Sequence, residues 1–433
     1  MRELKNAVDW YMEKIMERTP SSSNTSAPAS SSSAATTVAA PLDLHSPNLM
    51  QDPYPVYRKL LMEPTITRST LGFWVAAHHE HASVVLRDKR FGHNYEQDLI
   101  ARHGPQVFKQ PAPRAIRHWV ILQNPPNHTR VRSLFASAFS LRRIKEMAPR
   151  IENITNRLID AVADRGQMDI VADLAYPLPS IVIAEILGVP VEDQAQFVTR
   201  IPARVLDMAP LSPEESAKIN TDVEFITTYF ERLCDERRSR PRDDLITALV
   251  QGQNEDGALS NEELVANIFL LFAAGHDTTA NFLGNALLAL YRHPDQLAKL
   301  KSDRDLIPTA VDELMRYDSS VQMTIRYALT DAELFGASIK KGNPVMVVIG
   351  AANRDPKIYP NPDELDVTRT GLRVLSFGVG MHYCLGAELA RLESAIAFDT
   401  LFRRLPNLQL DTNDIAWRKT LTVRGLRRLP ARW

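Results

Sequence analysis

LSFGVGMHYCLGAELAR, residues 375–391, places a single cysteine, Cys384, between a glycine-punctuated loop and an amphipathic helix. Downstream, Leu385, Leu389, Leu392, Ile396, Phe398 and Leu401 recur at helical spacing, so a helix begins directly behind the thiol. Unpaired amide N–H groups and the positive dipole end at such a start favour a thiolate. Gly378 and Gly380 permit a tight turn and close backbone approach to something flat or bulky, and Gly386 does so from the helix side.

A thiolate so placed suits a metal, but zinc would need three or four Cys, His or carboxylate ligands and the neighbourhood offers only His382. One strong thiolate without co-ligands points to a metal whose remaining positions are filled by a macrocycle, which is haem iron. The competing reading, a buried cysteine acting as a small hydrophobe, suits Cys234 in YFERLCDERR better than Cys384.

FGVGMHYCLG resembles the haem-binding loop of the cytochromes P-450, the haem-thiolate monooxygenases, whose pattern is F-x-x-G-x-[HR]-x-C-x-G. Phe377, Gly380, His382, Cys384 and Gly386 match in register. The resemblance makes Cys384 the axial ligand of a haem b, and Phe377, Gly380, His382 and Gly386 its cradle.

Working outward, a mostly apolar run from Asn261 to Pro294 opens with Ser260 and Glu263 as a capping box and would span roughly 50 Å as one helix. Within it LFAAGHDTTANFLG sets Gly275, Thr278 and Thr279, poor helix formers, at mid-helix. A Thr278 hydroxyl back-bonding to the Ala274 carbonyl would open a groove. Asp277 and Thr278 there either pass protons to something bound or form a solvated kink; the residues alone leave both open. The segment is similar to the family's distal pattern [AG]-G-x-[DE]-T-[TS], and the resemblance implies that Asp277 and Thr278 guide protons to the oxygen being activated.

Glu313 and Arg316 form an E-x-x-R pair on one helix face, worth only about 0.2–0.5 kcal/mol as an isolated surface pair. In the family this pair is closed into a network by a second arginine, here Arg369 in NPDELDVTR, with Leu365 where Phe is more usual. NPPNHTRVRSLF resembles the helix whose His128 and Arg132 meet a haem propionate, although Asn124 replaces the usual Asp. Arg326 and His382 fall at positions that meet propionates as well.

The 51 basic against 52 acidic residues leave a net charge of -1 and no general pull toward nucleic acid or an anionic membrane. Two cysteines with unlike neighbourhoods fit a reducing, cytoplasmic compartment. Neither a membrane span nor a signal peptide is read. Residues 1–41 read as a short amphipathic helix followed by a Ser/Ala-rich disordered linker. WVAAHHEHASVVLRD, 74–88, reads as a strand leading into a helix, residues 92–123 as a long irregular functional loop and 126–292 as nearly all helix, and strand character returns only after Arg316.

The fold expected is therefore mainly α with a minor, segregated β-sheet. By resemblance it is one catalytic domain over 42–433, with haem between a long distal helix and the cysteine-loop helix. The activity implied is insertion of one oxygen atom from O2 into a small hydrophobic substrate by hydroxylation or epoxidation, in keeping with secondary metabolism. Two electrons come from NAD(P)H. No G-x-G-x-x-G segment is present, so electrons are expected from a ferredoxin and its reductase, or a flavodoxin. Arg142, Arg143, Lys145 and Arg391 offer such a partner a basic face, or simply a solvated one. Pocket positions implied are Leu271, Ala274, Gly275, Val321 and Gln322, in a monomer. The alternatives are a peroxide-driven or oxidative-coupling haem catalyst and a haem sensor without turnover.

Overall fold

In the computed structural model, residues 42–44, 47–198, 212–253, 259–413 and 415–433 are described. The extension read over 1–41 lies outside them. The long helix runs Asn261–Arg292, and both halves of its capping box form: the Glu263 amide donates to Ser260 Oγ at 3.1 Å and the Ser260 amide to Glu263 Oε2 at 2.9 Å. Apolar side chains surround it on most faces, so it crosses the core, packed by helices Pro177–Leu187 and Pro213–Ser239. Its C-terminal half meets helices Ile307–Tyr317 and Ala387–Arg404, the latter being the helix behind Cys384.

The strands, in chain order, are β1 (Thr67–Arg68), β2 (Trp74–Ala76), β3 (Phe91–Gly92), β4 (Gln167–Asp169), β5 (Thr324–Ala328), β6 (Ala332–Leu334), β7 (Ala337–Ile339), β8 (Pro344–Val347), β9 (Gln409–Leu410) and β10 (Pro430–Arg432). Among the described residues they form a five-stranded sheet ordered β1-β2-β8-β5-β3, a three-stranded sheet β4-β10-β9 and the hairpin β6-β7. β2 pairs parallel to β8 with Val75 opposite Met346, and β5 runs antiparallel to β8 with Arg326 opposite Val345. The helix-dominated fold with a minor sheet is as expected.

Two local expectations fail. Residues 92–123 are mostly short helices, Tyr95–His103, Pro105–Lys109, Pro111–Ile116 and Val120–Leu122. Pro105 and Pro111 open such helices, where the missing N–H costs nothing, rather than marking irregular chain. Strands besides the one read at 74–77, which forms as β2, also precede Arg316: β1, β3 and β4 are two or three residues each, too short for alternation to register. Among the described residues one helical stretch, Ile170–Leu187, is apolar enough by composition to cross a membrane, with mean hydropathy 1.7. Here Ile170, Leu174, Leu178 and Val182 are core residues packed beside the long helix.

Candidate active site

A cavity of about 1150 Å³ lies between the long helix and the cysteine loop. The loop is shaped by Gly378 and Gly380 at φ +67° and +77°. A Cβ on Gly380 would meet the Leu86 carbonyl oxygen at 3.0 Å and Arg87 Cα at 3.3 Å, so this turn fits against helix His79–Arg87 only as glycine. The Cys384 amide donates to the Phe377 carbonyl at 2.9 Å, and the helix proper starts at Ala387. Cys384 has accessible surface, and it faces the cavity. Burial raises its thiol above the ordinary value, while the Gly386 amide, Arg132 and Arg391 pull the other way.

Beside the sulfur stands a rim of cations and imidazoles. Arg132 reaches in from helix Asn127–Ala138 and donates to the Tyr383 carbonyl. Arg326, on β5, is almost wholly buried and donates to the Ile325 carbonyl at 2.9 Å, and burial lowers its guanidinium to about 10. His382 lies 4.2 Å from His128 and 4.9 Å from His93 between ring centroids. Burial, then Arg326, His128 and Arg132, hold His382 down to about 3, and burial with Arg326 keeps His93 well below its ordinary value. Nε2 of His93, Nε2 of His128 and both ring nitrogens of His382 are buried without a hydrogen-bond partner. His93 is fixed by Asn124, whose side chain donates to the His93 carbonyl at 2.8 Å and accepts from its amide at 2.9 Å.

These residues fit an iron porphyrin. One thiol faces a slot walled by Leu271, Ala274, Phe377, Leu385 and Leu389, as a flat apolar macrocycle requires. Orphaned imidazole nitrogens and two arginines at one edge suit a pair of carboxylates. A Cβ on Gly386, at the cavity wall, meets no protein atom within 4 Å, leaving the space a cradled group would fill. Among the described residues no cluster of three or more His, Cys, Asp and Glu is set to bind a bare metal ion.

Across the cavity, Ala274, Gly275, Thr278 and Thr279 line the long helix, and Thr278 Oγ1 donates to the Ala274 carbonyl at 2.9 Å. Asp277 does not line the cavity. Its Oδ1 accepts from Tyr176 Oη at 2.9 Å and from Arg418 Nη1 at 2.6 Å, and the carboxylate is almost fully buried there.

Glu313 and Arg316 have no exposed side-chain surface and pair through two bonds of 2.6 and 2.8 Å. Arg369 reaches Glu313 Oε1 at 3.3 Å, and Arg316 also donates to the carbonyls of Asn353, Pro362 and Glu364, which fix the chain leading to the cysteine loop.

Val321 lines the cavity and Gln322 does not. The Gln322 amide nitrogen donates to the Ser319 carbonyl at 2.6 Å and its oxygen lies against Gly350, because alternate residues of an extended segment face opposite ways. Arg391 is no free docking charge: it pairs with Asp312 at 2.9 Å and Glu388 at 2.8 Å and lies over the Phe377 ring. The 92–123 segment read as a functional loop does line the cavity, His93 included; sequence reading missed the loop residues Thr422 and Val423 at the cavity and Tyr176 and Arg418 behind it. It also missed Glu393, a buried acid on the helix behind Cys384, whose carboxyl burial pushes up to about 8.

The family profile described as "Cytochrome P450" matches residues 72–415. The cytochrome P450 monooxygenase PikC of Streptomyces venezuelae is 38% identical over 392 residues, covering 88% of this chain and 91% of that protein. P450BioI, solved in complex with hexadec-9Z-enoic acid ligated acyl carrier protein, superposes with a TM-score of 0.83 at 36% identity, covering 90% of this chain and all of that one. A myxobacterial cytochrome P450 solved with myristic acid superposes at 0.81 and 37% identity, covering 90% and 98%.

Proposed function

The chain belongs to the cytochrome P450 family, and on that premise we propose that it is a dioxygen-using monooxygenase of a mostly apolar small molecule, fed with NAD(P)H electrons by separate redox proteins. The observation that carries the reading is the lone thiol of Cys384 facing an apolar slot edged by Arg132, Arg326 and unpartnered histidines. Haem held there supplies dioxygen activation, with the thiolate favouring O–O cleavage.

The chain's residues do the rest. Arg132, Arg326, His128 and His382 would hold the propionates, and the Glu313, Arg316 and Arg369 network would keep the cysteine loop at its height. Thr278 is the hydroxyl at the cavity wall, positioned to hold or pass a proton, with Asp277 behind it as the acid that replenishes it. Leu271, Ala274, Gly275 and Val321 exclude water and orient an apolar substrate. The relatives solved with a fatty acid on acyl carrier protein and with myristic acid support a chain-like substrate, and myristic acid is the first probe. Exposed Leu141 and Tyr383, with the solvent-facing Arg142, Arg143 and Lys145, make the cysteine side the docking face for an acidic ferredoxin or flavodoxin. The protein would work in the cytoplasm.

The test is the carbon monoxide spectrum of the reduced, haem-loaded protein. Wild type should show the strongly red-shifted band of thiolate ligation, and Cys384→His should lose it. Persistence of that band in the variant would sink the ligand assignment.

A further inference from the structure

The acid on the long helix is tied to a distant piece of chain that also touches the cavity. Residues 416–427 fold back on themselves: the Arg418 amide donates to the Gly425 carbonyl at 2.9 Å, the Arg427 amide to the Ala416 carbonyl at 2.8 Å, and Trp417 bridges Leu426. The tip of this loop lines the cavity with Thr422 and Val423, where Val423 bridges Val321. Its stem is stitched to the long helix at three successive turns. Arg418 binds Asp277, the Gly425 backbone lies so close to Asn281 that a Cβ would sit 1.7 Å from the Asn281 oxygen, and Asn285 donates to the Arg424 carbonyl at 3.1 Å. Tyr176 closes the clamp, donating its hydroxyl proton to Asp277 and accepting from Arg418 Nη1 at 2.8 Å.

We propose that the 416–427 loop is a substrate-sensing clamp: Arg418 and Tyr176 hold the Asp277 carboxylate away from the cavity, and a substrate seated against Thr422 and Val423 loosens that hold. The inference rests on the reading of Asp277 as the acid that serves Thr278. Clamped, the carboxylate faces Arg418 and Tyr176 rather than the cavity, so it cannot resupply a proton there. A ligand shifts such a two-state element only by touching it differently in the two states, and the loop tip is the part a ligand in the cavity meets. Arg418 is thus a positioning residue, acting through Asp277.

Hydrogen exchange on the full haem-loaded chain tests this, comparing wild type, Arg418→Gln and Arg418→Lys with and without myristic acid. Without ligand, Arg418→Gln should speed exchange at residues 276–281, while Arg418→Lys, which keeps the cation, should stay close to wild type. Unchanged exchange at 276–281 in Arg418→Gln overturns the clamp whether or not the fatty acid binds. With the fatty acid bound, wild type should slow at 417–426 and quicken at 276–281, and the second response should vanish in Arg418→Gln; its survival there also overturns the proposal. A separate Asp277→Asn variant keeps the two readings apart. If it turns electrons into product as well as wild type does, the proton role of Asp277 fails, and the exchange result still decides the clamp.

Discussion

Glu313 and Arg316 illustrate how much depends on single side chains here. Both are wholly buried, so Glu313→Gln would leave a guanidinium without its charge partner in the interior. We expect a loss of about 3–5 kcal/mol, seen as an earlier denaturation midpoint and a low haem content on purification. If stability matches wild type, this network does not hold the cysteine loop. Thr278→Ala acts on chemistry instead: NAD(P)H oxidation should continue while product per NAD(P)H falls on the order of a hundredfold and peroxide accumulates. Thr278→Ser keeps the hydroxyl and should restore product; unchanged coupling in the alanine variant would remove Thr278 from the proton path. Cys384 belongs to the same scale: the glycine turn and helix start around it are legible in the sequence, whereas Arg132, which stands beside its thiol, comes from a distant helix that no local motif encodes.

The long helix is the element on which the site is built. Its capping box and its Thr278 back-bond follow from spacing alone. What spacing does not carry is which side chains reach across to other elements. Asn267 is the clearest case: it accepts from the Val120 amide at 2.8 Å and donates to the His118 carbonyl at 2.8 Å, tying the 105–122 segment to the helix. Asn267→Ala should cost about 1–3 kcal/mol through the unsatisfied Val120 amide and weaken binding of myristic acid in a spectral titration. Binding as tight as wild type would show that this tie does not shape the cavity. Asp277 shows the same limit from the other side: resemblance places it at the cavity, and it turns away because Arg418, 141 residues off, claims it, while Gln322 turns away by the alternation of its own extended segment and bonds to the Ser319 carbonyl. His93 has no motif of its own within the 92–123 segment, and its backbone pairing with Asn124 fixes it.

At the scale of the molecule, the interior carries imidazoles that resist protonation. Burial holds His276 at about 4 against an ordinary 6.5, and His81 likewise. The folded-state values are depressed, so these groups favour the native state fully above pH 6.5 and lose that contribution as pH falls toward 4, where only the unfolded chain takes the protons. Each should add a slope of about 1.4 kcal/mol per pH unit across that window, and His276→Leu should flatten it in urea melts at a series of pH values. A slope unaltered by the substitution would show that His276 does not titrate differently on unfolding. The helix-rich architecture and the strands at 74–77 and beyond Arg316 were readable at this scale; the order in which they join was not, because β2 and β3 find their partners β8 and β5 far along the chain.

That sheet has a consequence for how the chain comes to exist. β2 near residue 75 pairs directly with β8 near residue 346, so the β1-β2 pair, the first made, has no further partner until about four-fifths of this chain has been synthesised. Through that interval the edges of β1 and β2 stand open to other molecules, and closure must then overcome the entropy of joining a very long loop. Folding on the ribosome should therefore begin in the helical middle and finish late, with premature termination before β8 yielding helical but aggregating fragments.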